Sequence, residues 1–185
     1  MVNDNQDDER ELILIEKFNL IRNGKNSRDL YDALDQSGNI FELKSTSKKS
    51  VSTARDCGFQ HLKRWRNEYW IIGTWDCSYK AYNNIFFLSP THLEEWFVKV
   101  ENTLLQRKCL IDEIQEKMVF NPKQQTLFNS ISKRGCSLND PSIPLSYIFK
   151  KGKPINNRDD LDYYIKKYPI INNEEKENIT LFDFL

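Results

Sequence analysis

The run YWIIGTW, residues 69–75, restricts the fold more than any other stretch of the chain. It is apolar, aromatic and β-branched, the composition of a central strand covered on both faces. A sheet with such a strand at its centre needs a layer of helices on each side. The sequence supplies them. ERELILIEKFNLIR, residues 9–22, puts Leu14, Phe18 and Ile21 on one helical stripe with Ile15 beside it, and Gly24 reads as its stop. Ser89-Pro90-Thr91 caps a helix over residues 92–100 whose apolar face is Leu93, Trp96, Phe97 and Val100. TARDCGFQHLKRWRNE reads as helical with an interruption at Gly58, and residues 108–118 and DDLDYYIKKY read as further helices.

Strands are predicted over residues 31–35 and 40–45, on either side of the turn QSGN, and at IFFL after a turn at Asn83-Asn84. Pro141 and Pro144 make CSLNDPSIPLSYIF irregular. The order predicts an α/β (α+β) fold, a mixed central β-sheet flanked by helices. At 185 residues the chain is read as a single domain over 1–185, with 1–8 frayed and 156–185 as a C-terminal extension of undefined role.

Charge and cysteine usage narrow the function classes. Lys+Arg and Asp+Glu both number 27, so a uniformly basic coat is excluded while a local patch is not. The cysteines at 57, 77, 109 and 136 form no CxxC pair, and only His61 and His92 are available to complete a zinc site, so reduced thiols in the cytoplasm are expected. No stretch has the length of a membrane span and the first residues have no signal-peptide pattern.

The chemistry is concentrated in FELKSTSKKSVSTARD, residues 41–56. In FELK, Glu42 and Lys44 alternate with Phe41 and Leu43, so a strand here points the two charges to one face and the two apolar side chains to the other. Asp32 stands ten residues before Glu42, and a fold-back at QSGN brings the two acids together at the rim of the sheet. Converging carboxylates repel unless a cation lies between them, and a hard divalent ion such as Mg²⁺ takes oxygen ligands. A neighbouring lysine stabilises or deprotonates a water beside a scissile phosphate, which completes a minimal set for metal-assisted phosphodiester hydrolysis.

Glu-x-Lys alone is common on solvated strands. Here residues 44–66 also carry Lys44, Lys48, Lys49, Arg55, Lys63, Arg64 and Arg66 against the single acid Asp56. Such a basic concentration in a neutral chain reads as a phosphate-binding footprint, with Ser52 and Thr53 among its small hydroxyl donors. The competing reading is a solvated basic helix face.

YDALDQSGNIFELKS resembles the catalytic segment of the PvuII-like type II restriction endonucleases, members of the PD-(D/E)xK nuclease superfamily. The likeness continues through VSTARDCGFQHLKRWRNEYWII, FLSPTHLEEWF and LNDPSIPLSYIFKKG, most of residues 28–153. It implies a restriction-endonuclease-like core and a homodimer that cuts both strands of double-stranded DNA at a short palindromic sequence. It also implies dependence on Mg²⁺, with Mn²⁺ substituting. Asp32 and Glu42 would be metal ligands, with the Leu43 carbonyl a further one, and Lys44 the catalytic lysine. Asp29 falls where the family has another acid, and Trp65 where it has a tyrosine near the scissile phosphate.

At the positions where the family reads bases the residues differ from the family pattern. Arg55 suits guanine, Asp56 suits a cytosine amino group or orients Arg55, and Asn139 suits adenine; Asp140 favours a cytosine amino group or pairs with a basic side chain. Each of the four is equally open to a turn or capping role. A repair or junction-resolving nuclease, a non-catalytic DNA-binding module, and a half-enzyme needing a second chain remain as alternatives.

Overall fold

The computed structural model describes residues 5–23 and 31–170, apart from the side chains of 5–8, 133 and 134. YWIIGTW lies in strand β5 (Tyr69–Asp76). Its partners are β3 (Ile40–Thr46), parallel to it, and β6 (Ala81–Leu88), antiparallel to it. Two short antiparallel strands, β1 (Ile21–Arg22) and β2 (Ala33–Leu34), extend the β3 side, and β8 (Lys153–Pro154) pairs with β6. The six-stranded order is β1-β2-β3-β5-β6-β8, a mixed sheet. A separate ribbon pairs β4 (Ser50–Val51) with β7 (Ile143–Pro144).

Six helices occur among the described residues, and two apolar clusters show how five of them pack. Helix α1 (Asn5–Lys17) covers one face, packing Leu14 and Ile15, with Phe18 just past its end, against Phe41, Leu43, Tyr69 and Ile71. Helix α6 (Arg158–Lys167) adds Leu161 to that cluster. The other face takes Trp70 and Ile72, covered by α2 (Phe59–Trp65), α3 (Pro90–Lys117) and α5 (Leu145–Lys151). The period-2 alternation along β5 thus divides between two cores. Phe87 in β6 is fully buried and lies 5.4 Å from the Tyr69 ring and 6.0 Å from the Tyr164 ring. Truncating such a side chain to alanine costs about 3–5 kcal/mol.

Several local expectations shift. Helix α1 ends at Lys17, not Arg22: Asn19 takes a left-handed conformation, φ 51, and turns the chain into β1. Gly24, the expected stop, lies outside the described residues. The helix expected over 92–100 runs unbroken to Lys117, absorbing the one expected over 108–118, because no glycine or proline interrupts the intervening residues. Asn83 and Asn84 lie inside β6, and the turn falls earlier, where the Asp76 carboxylate accepts from the backbone N–H of Ser78 and Tyr79. Ahead of Phe59, TARDCG is irregular. Helix α4 (Pro122–Gly135) is not predicted at all.

Both histidines are capping residues. Nδ1 of His61 accepts from Gly58 N–H at 3.3 Å, and Nδ1 of His92 accepts from Ser89 N–H at 3.0 Å. Burial, with Lys153 and Lys151 nearby, pushes His92 down to about 4, so it is neutral at physiological pH. The four cysteines are free thiols. No described helix is long and apolar enough to cross a membrane.

Candidate active site

The site starts from the register of two strands. Ala33 pairs with Phe41, so one step further along β2 places Asp32 opposite Glu42. Leu43 and Phe41 point into the α1 core, while Glu42 and Lys44, level with Trp70 and Ile72 of β5, point to the α2 side. Pleating therefore puts both acids and the lysine on one face near the end of β2.

Their geometry is tight. Lys44 Nζ lies 2.8 Å from Glu42 Oε1 and 3.3 Å from Asp32 Oδ2, and donates to the Leu43 carbonyl at 3.0 Å. Asp32 Oδ2 also accepts from the Leu43 backbone N–H at 2.7 Å. The ammonium thus collects three oxygens from the residues that the sequence nominates as metal ligands. Two carboxylates and a carbonyl are the donor chemistry of a hard divalent cation, so these residues fit Mg²⁺ once the lysine moves aside. Among the described residues no group of three His, Cys, Asp or Glu side chains is placed to hold a metal, so any such ion needs the carbonyl and solvent. Burial disfavours the charge on Lys44, but Glu42 and Asp32 outweigh it and raise its pKa above the ordinary lysine value. In this arrangement the lysine keeps its proton, which suits charge stabilisation better than deprotonating a water.

Arg64, read in the sequence only as part of the basic footprint, and Glu68, which the sequence did not single out, complete the cluster. Arg64, on α2, places NH2 3.3 Å from Glu42 Oε2 and Nε 3.2 Å from Glu68 Oε1. Glu68 is buried, and its Oε2 has no hydrogen-bond donor among the described residues. Burial and the Glu42 charge push Glu68 up to about 8, and Arg64 offsets this only in part despite its short distance. Glu42 is therefore held between two cations, one on each oxygen. The available signal was an i,i+4 Arg–Glu pair closing α2, with its acid abutting the apolar strand.

The basic run is less open than its letters imply. Lys44 and Arg64 are half-buried and belong to the ionic cluster, and Arg66 is bound to Glu94 and Glu101 of α3, at 3.1 and 2.8 Å. Lys48, Lys49, Arg55 and Lys63 are exposed. Trp65 corrects an expectation: it is fully buried, packed against Trp70 and Trp96 at 5.3 and 5.9 Å, and offers no surface to a phosphate. An indole has the size to fill that core, which accounts for its place there. Asp29 lies outside the described residues.

The residues nominated as base readers come from two segments that meet. Val51 pairs with Ile143, Cys57 bridges to Leu138, and Thr53 N–H donates to Asp140 Oδ1 at 2.9 Å. Thr53 Oγ1 donates to the Pro141 carbonyl at 2.6 Å. Ser52, Arg55, Asp56, Asn139 and Asp140 are exposed, and Thr53 is half-buried. A cavity of ≈ 940 Å³ opens where these loops adjoin α3 and α4, with Asp56, Asn139 and Arg107 in its wall.

The model of the family described as restriction endonuclease PvuII matches residues 2–128. That span includes the whole carboxylate–lysine cluster and the first of the two segments nominated for base reading, but not the second. No curated protein matches the chain.

Proposed function

The chain belongs to the restriction endonuclease PvuII family, and from that premise we propose that it hydrolyses both strands of double-stranded DNA at a short specific sequence. It acts as a homodimer and uses Mg²⁺, with Mn²⁺ as a substitute. The observation that carries this reading is the gathering of Asp32, Glu42 and Leu43 oxygens around the Lys44 ammonium at the rim of the sheet. A bound divalent cation would supply Lewis-acid polarisation of the phosphate and a more acidic water.

The protein's own residues do the rest. Asp32, Glu42 and the Leu43 carbonyl would hold the cation. Lys44 offers its proton and charge to the phosphate oxygens as negative charge builds up on them. Arg64 holds the second oxygen of Glu42 and limits its rotation. Arg55, Asp56 and Asn139 are the exposed groups suited to base edges, while Ser52, Thr53 and Lys63 position the backbone.

Plasmid DNA incubated with the purified protein and Mg²⁺ should give discrete fragments whose mapped ends share one sequence and one stagger. A smear, or cutting confined to branched or mismatched substrates, would favour a repair-type nuclease. Binding without cutting would favour a non-catalytic module.

A further inference from the structure

The two reading loops are 87 residues apart in sequence yet interlock around one residue. Asp140 grips the Thr53–Ala54 segment twice: its Oδ1 accepts from Thr53 N–H, and its own N–H donates to the Ala54 carbonyl at 3.0 Å. The next residue adds a third link through Thr53 Oγ1 and the Pro141 carbonyl. The Cys57–Leu138 bridge, with bonds of 2.8 and 2.7 Å, closes the far side of the joint. On the second loop, Arg107 of α3 donates to the Ser137 carbonyl at 2.8 Å. Asp140 itself sits in a left-handed conformation, φ 53, which Asn, Asp and Gly tolerate best.

We propose that Asp140 is a positioning residue that locks the loops bearing Arg55–Asp56 and Asn139 into one reading head, and is not itself a reader of a base. This rests on the nuclease reading above. The carboxylate of a reader must meet a base edge, whereas this one already bonds the neighbouring loop. Its geometry explains why an acid occurs in a segment that faces DNA: the like charge is tolerated because one oxygen is bound to a backbone N–H. Arg55 and Asn139 lie one or two residues from the joint, so a shift at Asp140 moves both readers together.

The test compares Asp140→Gly, which keeps the left-handed backbone and removes the acceptor, with Asp140→Asn, which keeps both. In the DNA-free protein, hydrogen exchange at the Thr53 amide should quicken about tenfold in Asp140→Gly and stay near wild type in Asp140→Asn. On duplexes carrying single base-pair changes in the mapped site, Asp140→Gly should lose about tenfold discrimination at the positions weakened by Arg55→Ala and by Asn139→Ala, both at once. Asp140→Asn should retain discrimination. Unchanged Thr53 exchange, a loss confined to one base pair, or equal losses in the Gly and Asn variants would each overturn the proposal. Wild-type protein that leaves DNA uncut sinks the nuclease reading instead, and the exchange measurement still judges the joint.

Discussion

The cluster around Lys44 and the joint around Asp140 both hold polar groups in place, by opposite means. The first is half-buried, with Glu42 and Glu68 its buried members, and built from ions: two acids, a lysine and an arginine, with a third acid behind them. The second is exposed and built from backbone hydrogen bonds, with one side-chain acceptor and one hydroxyl. Ion pairs in a poorly solvated site fix charge and are costly to break singly. Backbone clips in solvent fix shape and leave the neighbouring side chains free to meet a ligand. Chemistry that must be the same at every turnover suits the first arrangement, and selection among DNA sequences suits the second.

The sharpest way to break this contrast is Lys44→Ala. Cleavage should fall by about a thousandfold, while gel-shift affinity for cognate duplex in Ca²⁺ stays near wild type; parallel losses in both assays would mean that the ionic cluster also serves recognition. Next comes the buried acid. Folded Glu68 holds its proton up to about pH 8, whereas an unfolded glutamate loses it near 4.5. The stability this provides is full below pH 4.5 and is lost as the pH rises towards 8. Urea melts of metal-free protein should show that decline, and Glu68→Gln should flatten it; a slope unaltered by the substitution would place Glu68 outside the linkage.

On the exposed side the effects shrink. Arg55→Ala should cost about 1–3 kcal/mol at one base position in competition binding, and a uniform loss across sequences would make it a phosphate contact. Thr53→Val removes only the hydroxyl link to Pro141, worth about 1 kcal/mol. Selectivity should drop a few-fold, measured on the same duplex set; a loss as deep as that of Arg55→Ala would shift the weight of the joint onto the hydroxyl.

What the letters revealed followed from periodicity. Alternation in FELK placed Glu42 and Lys44 together, and the apolar run placed β5 at the centre of the sheet. Helix α6 matches DDLDYYIKKY because Asn157 caps it and acids open it. Helix α4 escaped notice because PKQQTLFNSISKRG is mostly polar, and its apolar stripe is only Leu127, Phe128 and Ile131. Lys44, Arg64 and Arg66, all assigned to a phosphate footprint, turned out to be engaged by acids of the protein itself. Such partners depend on tertiary contact: Glu94 and Glu101 lie 28 and 35 residues beyond Arg66. The joint between Thr53 and Asp140 was invisible for the same reason.

Asp32 has a second occupation that sets it apart from Glu42 and Lys44. Where β2 gives out, its carboxylate takes up the Leu43 amide that a longer neighbour would have paired. The hem of the sheet is therefore stitched by a group that the proposed reaction also needs. Losing that acid would fray the edge as well as remove a proposed metal ligand, so an inactive Asp32 variant says little about the proposed catalysis until its fold has been checked.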